Sequence, residues 1–201
     1  EPLPPYVTDR ALKVPFPIAM SKIGEKFLRE KGVDPFYIPH GVDRSQFKPS
    51  DRAKSRKLFR IKDDQFFVVM NAANRGFPSR KSFDGVIKAW SVFLTEHPNA
   101  VLYLHTLAQP SGGLDLLSMC EFYNVAHNVK FPNVYDYVQG NFSWGFLRNL
   151  YNAADVFLSP SMGEGFGIPV IEAHACGTPT IVTDFTAQRE LGSAYRIPVD
   201  Y

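Results

Sequence analysis

Glu164 and Glu172 stand eight positions apart in a stretch, residues 159–184, that also carries Gly163, Gly165, Gly167 and Gly177. These types and spacings suit ligand chemistry. Bare backbone at Gly165, Phe166, Gly167 and Ile168 can bring N–H groups against a ligand at the positive end of a following helix, which favours an anion, most often a phosphate. Ionised carboxylates repel a phosphate, so the natural partners of the two glutamates are hydroxyl groups that donate hydrogen bonds to them. A ligand with both phosphate and many hydroxyls is a sugar nucleotide. A second cluster, Arg75, Arg80 and Lys81, supplies cations that a diphosphate needs, although Arg80 also fits an exposed loop position.

The elements that position these groups follow from the pattern around them. Residues 155–158 and 180–183 are apolar runs of strand length on either side of the glycine-rich stretch. Pro169 suits the first turn of a helix and Gly177 its end, so the unit reads as strand, loop, helix, strand. Glu164 falls in the loop and Glu172 one turn inside the helix, so both can face a ligand at the strand's carboxyl end. Residues 66–71 form another continuous apolar run, the mark of a parallel strand covered on both faces. The loop carrying Arg75 and Lys81 follows that run and lies at the same carboxyl edge.

The rest of the chain alternates in the same way. Residues 1–15 are Pro-rich and read as a loop, 16–20 as a short strand, 22–31 as a helix capped by Ser21, and 36–39 as a strand. Residues 48–62 hold seven Lys or Arg among fifteen and read as a solvated amphipathic helix with Leu58, Phe59 and Ile61 inward. Phe83, Val86, Ile87, Trp90, Phe93 and Leu94 keep helical spacing on a core-facing helix. Strands at 100–104 and 128–131 flank a helix near 114–123, a loop at 132–141 precedes a helix bearing Phe146, Leu147, Leu150, Tyr151 and Ala154, and 186–191 and 196–199 read as a short helix and a last strand. No hairpin signal interrupts the alternation, which predicts an α/β fold with a doubly wound, Rossmann-like parallel sheet.

Composition excludes several function classes. The 201 residues, 45% hydrophobic, suffice for one good core and a small appendage. A formal net charge of +2 provides no strong field toward nucleic acid or anionic lipid. No stretch reaches the length of a membrane span, and Cys120 and Cys176 sit among apolar neighbours as reduced thiols, so a soluble cytoplasmic protein without disulfide or metal is expected. No Asp-x-Asp metal motif occurs, and no Gly-x-Gly-x-x-Gly follows the strand at 66–71, which argues against a nicotinamide oxidoreductase.

Glu164-Gly165-Phe166-Gly167-Ile168-Pro169, running on to Glu172, resembles the E-x7-E motif of retaining GT-B glycosyltransferases of family 4, the glycogen synthase and sucrose synthase superfamily. The likeness includes Pro160-Ser161 and the turn Ala175-Cys176-Gly177-Thr178-Pro179. Arg75 to Lys81 resembles the family's G-R-x5-K loop with Asn74 in place of the Gly, and Ile38-Pro39-His40-Gly41-Val42-Asp43 its domain junction, with His40 in place of Asn. The resemblance implies the C-terminal, donor-binding half of a GT-B fold over residues 36–201, itself cut short, preceded at 1–35 by the tail of a missing acceptor domain. It implies a nucleotide-diphosphate sugar as substrate, with Glu164 at the sugar hydroxyls, Glu172 at the ribose, and Arg75 and Lys81 at the diphosphate. The backbone of Gly165, Phe166, Gly167 and Ile168 would then hold the phosphate, with Val134 and Tyr135 near the base. The leaving group's charge would be neutralised by these cations without a metal. Alternatives are a sugar epimerase or phosphorylase of the same fold, and a non-catalytic nucleotide-sugar-binding subunit. Base, sugar, acceptor and oligomeric state stay open, and a fragment lacking its acceptor half is expected not to transfer.

Overall fold

Strands that are apolar at every position form only where both faces are covered, and this requirement sets the architecture. A computed structural model describes residues 5–191 and 195–198. Their elements, in chain order, are α1 (Pro5–Ala11), β1 (Ile18–Ala19), α2 (Lys22–Glu30), β2 (Phe36–Tyr37), α3 (Arg52–Leu58), β3 (Phe67–Asn71), α4 (Phe83–Glu96), β4 (Val101–His105), α5 (Leu116–Phe122), β5 (Val129–Lys130), α6 (Val134–Gln139), α7 (Trp144–Ala153), β6 (Val156–Ser159), α8 (Ile168–Ala175), β7 (Thr180–Thr183) and β8 (Tyr195–Ile197). A six-stranded sheet runs in the order β5-β4-β3-β6-β7-β8, and every pairing in it is parallel. The strand expected to reach residue 199 is described only as far as Ile197, and Val199 lies outside the described residues.

Alternate residues of each strand enter opposite cores. Phe67, Val69, Val101 and Tyr103 pack with Leu150, Tyr151, Val170 and Ala173 of α7 and α8. Val68, Met70, Leu102 and Leu104 pack with Phe83, Val86, Ile87 and Trp90 of α4 and with Leu116 and Cys120 of α5. Burying each large side chain contributes about 1.5–3 kcal/mol, so both layers hold the sheet. Over β6 to β8 the α4 face is open, leaving an apolar groove of about 870 Å³ that includes Leu158, Ile181, Tyr195 and Ile197.

Three segments differ from the sequence reading. The expected loop at 1–15 contains α1, which starts on Pro5, a residue suited to a first helical turn, and whose Ala11 packs on Ala19, Leu28 and Val33. The loop expected at 132–141 contains α6, because the Asn133 side chain accepts the N–H of Asp136 and Gly140 closes the helix in the left-handed region. The basic helix at 48–62 shortens to α3, with Leu58 exposed and Arg56 buried. Arg56 turns inward because acceptors wait for it: its guanidinium donates to the carbonyls of Ala153, Lys62 and Gln65 and to Asp155 Oδ2 at 3.1 Å. Asp155 also accepts the backbone N–H of Phe67 at 2.7 Å and pairs with Arg52.

The strands β1 and β2 form a separate parallel pair. The helix α2 joins the main body at its N-terminus, where Lys22 N and Ile23 N donate to the two oxygens of Glu190 at 2.6 and 2.7 Å.

Candidate functional site

The β6–α8 loop reaches the carboxyl edge because short polar ties hold it there. Glu164 N donates to Thr186 Oγ1 at 3.0 Å. The Gln188 amide, fully buried, donates to Ser159 O at 3.0 Å, while the Thr183 hydroxyl lies 2.7 Å from both Ser161 O and Gln188 Oε1. A 3-10 turn at Thr186–Leu191 thus acts as a splint beneath the loop. Gly167 enters α8 at φ 107°, a conformation that a side chain would strain, and a Cβ there would lie 3.1 Å from Leu191.

The facing loop, after β3, is pinned from the other side. Asn74, buried, donates from Nδ2 to Leu114 O at 2.8 Å and Leu107 O at 3.2 Å, and its Oδ1 accepts from Leu114 N at 3.0 Å. Its backbone lies so close to Gly113 that a Cβ there would stand 2.5 Å from Asn74 O. Asn74, where the resembled motif has Gly, is therefore a cross-tie between two loops of the carboxyl edge.

The two loops meet. Met162 N donates to Arg80 O at 2.9 Å, and the Arg80 guanidinium donates to Gly163 O and approaches Glu164 Oε2 at 3.2 Å. Lys81 Nζ donates to Glu164 Oε1 in a pair whose side chains are 17% and 13% exposed. Burial alone would raise the Glu164 carboxyl, but the Lys81 hydrogen bond and charge, with Ser161 and Arg80, outweigh it and hold it below the usual carboxylate value. Arg80, counted in the sequence among the cations and also suited to an exposed loop position, is exposed and is a partner of the predicted acid.

Beside this pair opens a cavity of about 280 Å³, lined by Asn71, Lys81, Ser159, Glu164 and Phe166 to Pro169, with Met20 and His40 closing it from the N-terminal segment. The His40 ring stands edge-on to Phe166 at 5.2 Å. Gly165 faces the neighbouring apolar hollow beside Met20. The groove over β6 to β8 shares no lining residue with this cavity.

Other predicted residues lie around the cavity without lining it. Arg75 is exposed on its loop and stands close enough to act electrostatically on Tyr137. Glu172 is buried, and Tyr151 donates to its Oε2 at 2.7 Å. Desolvation raises the Glu172 carboxyl, a shift only partly offset by the Tyr151 hydrogen bond. Val134 and Tyr135 are exposed on α6. The ring of α6 that turns inward is Tyr137, 5.3 Å from His105, which also meets Phe142 at 5.0 Å. Burial pushes His105 down to about 4, so it is neutral at pH 7.

Sequence reading passed over Asn71, Tyr151, Thr186 and Gln188. The only signal for Asn71 is a polar residue closing an apolar strand, and Tyr151 counts in the pattern as one more hydrophobe. Among the described residues no three His, Cys, Asp or Glu side chains converge as metal ligands, and no helix is long and apolar enough to cross a membrane. The arrangement offers cations, a helix N-terminus and carboxylates around one small cavity, which suits an anion carrying hydroxyls.

A family model described as glycosyl transferases group 1 matches residues 51–195. The chain belongs to that family. A D-inositol 3-phosphate glycosyltransferase from Paenarthrobacter aurescens is 30% identical over 148 residues, which is 73% of this chain and 34% of that protein. The chain therefore spans about a third of the length of that curated relative. Sucrose-phosphate synthase from Thermosynechococcus elongatus superposes with a TM-score of 0.73 at 23% identity, over 92% of this chain and 44% of that one. HepE from Anabaena, solved in complex with UDP-glucose, superposes with a TM-score of 0.72 at 20% identity, over 90% of this chain and 49% of that one. The family's sheet is the one seen here: α/β, Rossmann-like, the C-terminal half of a GT-B fold.

Proposed function

We propose that the chain binds a nucleotide-diphosphate sugar and presents the sugar for transfer with retention of configuration. The supporting observation is the meeting of Lys81 and Glu164, the latter also paired with Arg80, in one cavity at the carboxyl edge of a parallel sheet. Lys81 and Arg75 take the diphosphate, together with the N-terminus of α8 at Gly167 and Ile168. Glu164, released from its cations by the incoming phosphates, accepts hydrogen bonds from sugar hydroxyls, and Glu172 accepts from the ribose. As the glycosidic bond breaks, negative charge grows on the departing diphosphate, and groups fixed before the reaction neutralise it with little reorganisation.

In this reading the chain supplies the donor side, and transfer needs an acceptor-binding part, for which the curated relative has room, since the chain spans about a third of its length. Two buried free thiols favour a reducing, cytoplasmic setting. Isothermal titration with UDP-, GDP- and ADP-sugars tests the reading, with saturable binding expected for at least one. Failure of all three to bind overturns it.

A further inference from the structure

Asn71 ends β3 at the rim of the cavity, as the last residue of an otherwise apolar strand. Its Nδ2 donates to Tyr151 Oη at 2.9 Å, and that hydroxyl donates to Glu172 Oε2 at 2.7 Å. The chain of hydrogen bonds has a direction. The buried Tyr151 hydroxyl has a single proton and donates it to Glu172 Oε2, so toward any further partner its oxygen must accept. The group it accepts from is the amide nitrogen of Asn71, so the amide cannot turn over without losing that bond. Among the described residues, Asn71 Oδ1 receives no hydrogen bond, yet the residue lines the cavity that holds Glu164, Lys81 and Ser159.

We propose that Asn71 is a ligand-binding residue of this cavity, presenting its carbonyl oxygen to a sugar hydroxyl, and that Tyr151 is the positioning residue that fixes its orientation. The inference rests on the donor-site reading and adds a neutral acceptor to it. A carboxylate such as Glu164 can be claimed by Lys81 and Arg80, whereas an amide oxygen carries no charge to attract them. The cavity thereby keeps an acceptor for the sugar whatever the cations hold. Tyr151 has no exposed surface and acts on the ligand through the two side chains its hydroxyl joins, Asn71 and Glu172.

Titration of the wild-type chain, Asn71→Ala and Tyr151→Phe with UDP-glucose, GDP-mannose and ADP-glucose, and separately with UDP, GDP and ADP, tests this. Asn71→Ala and Tyr151→Phe should each weaken the preferred sugar nucleotide about tenfold, the scale of one lost hydrogen bond in a water-poor site. In Asn71→Ala the affinity for the bare nucleoside diphosphate should stay within about twofold, and the double variant should lose less sugar-nucleotide affinity than the two single losses combined, because coupled residues are not additive. Equal losses for sugar nucleotide and bare diphosphate in Asn71→Ala mean a merely structural role and overturn the inference, as does wild-type affinity in that variant. That variant alters a partly exposed residue, so it decides the matter even if Tyr151→Phe does not fold. A wild-type chain that binds none of the six ligands overturns the donor-site reading and this inference together.

Discussion

Lys81 and Glu164, 83 positions apart, form an ion pair across the mouth of the cavity. The contact links the loop after β3 to the loop after β6, so the two sides of the site are joined directly. On the proposed reading, a diphosphate entering here would exchange one anionic partner of Lys81 for another.

Replacing Lys81 with Ala should weaken nucleoside diphosphate binding by about 1.5–3 kcal/mol, the range for a hydrogen bond to a charged group. Arg75→Ala should act in the same direction. Calorimetry measures both, and an unchanged affinity makes the cation in question a surface residue.

Glu164→Gln should have opposite effects on two ligands. Without the carboxylate that competes for Lys81, bare UDP or GDP should bind more tightly than to wild type. The corresponding sugar nucleotide should gain less, because the acceptor for its hydroxyls is weaker. Parallel gains for both ligands would remove Glu164 from the sugar side of the site.

The two glutamates should differ in how they link stability to pH. The Glu164 carboxyl is held below its usual value of 4.5, so its contribution is present above that value and is lost as pH falls through the depressed one. The Glu172 carboxyl is raised above 4.5, so its contribution is full below that value and is lost as pH rises through the raised one. Denaturant titrations from acid to neutral pH should show Glu172→Gln gaining on wild type as pH rises. Over the same range Glu164→Gln should fall behind.

Asn74→Gly restores the residue of the resembled motif but removes the three side-chain hydrogen bonds to Leu107 and Leu114. A loss of about 1–3 kcal/mol in stability is expected, because buried partners are left unsatisfied. Nucleotide affinity should fall as well, since the loop carrying Arg75 loses its cross-tie. Thermal melting and calorimetry on one preparation check both.

Strands and core helices were legible because their signal is local: β3 and β4 are apolar at nearly every position, and α4 repeats its apolar residues with helical spacing. The Glu164 loop and the Lys81 loop could likewise be read from glycines, charges and their place after strands. What could not be read was which polar groups turn inward. Arg56 is buried because acceptors as distant in sequence as Ala153 and Asp155 converge on it, and nothing in its own helix announces them. Tyr151 looks like any core aromatic until Asn71 and Glu172 are seen on either side of its hydroxyl.

Glu190 holds two adjacent amides at the start of α2, and its own 3-10 turn is the one that supports Glu164. Mechanically, a carboxylate straddling two N–H groups resists both sliding and twisting of one element over the other. The first long helix of the chain is therefore tied to the β6–α8 loop through this turn, so that the two move as a single lever. Any motion of α2 relative to that turn must first break both of these bonds.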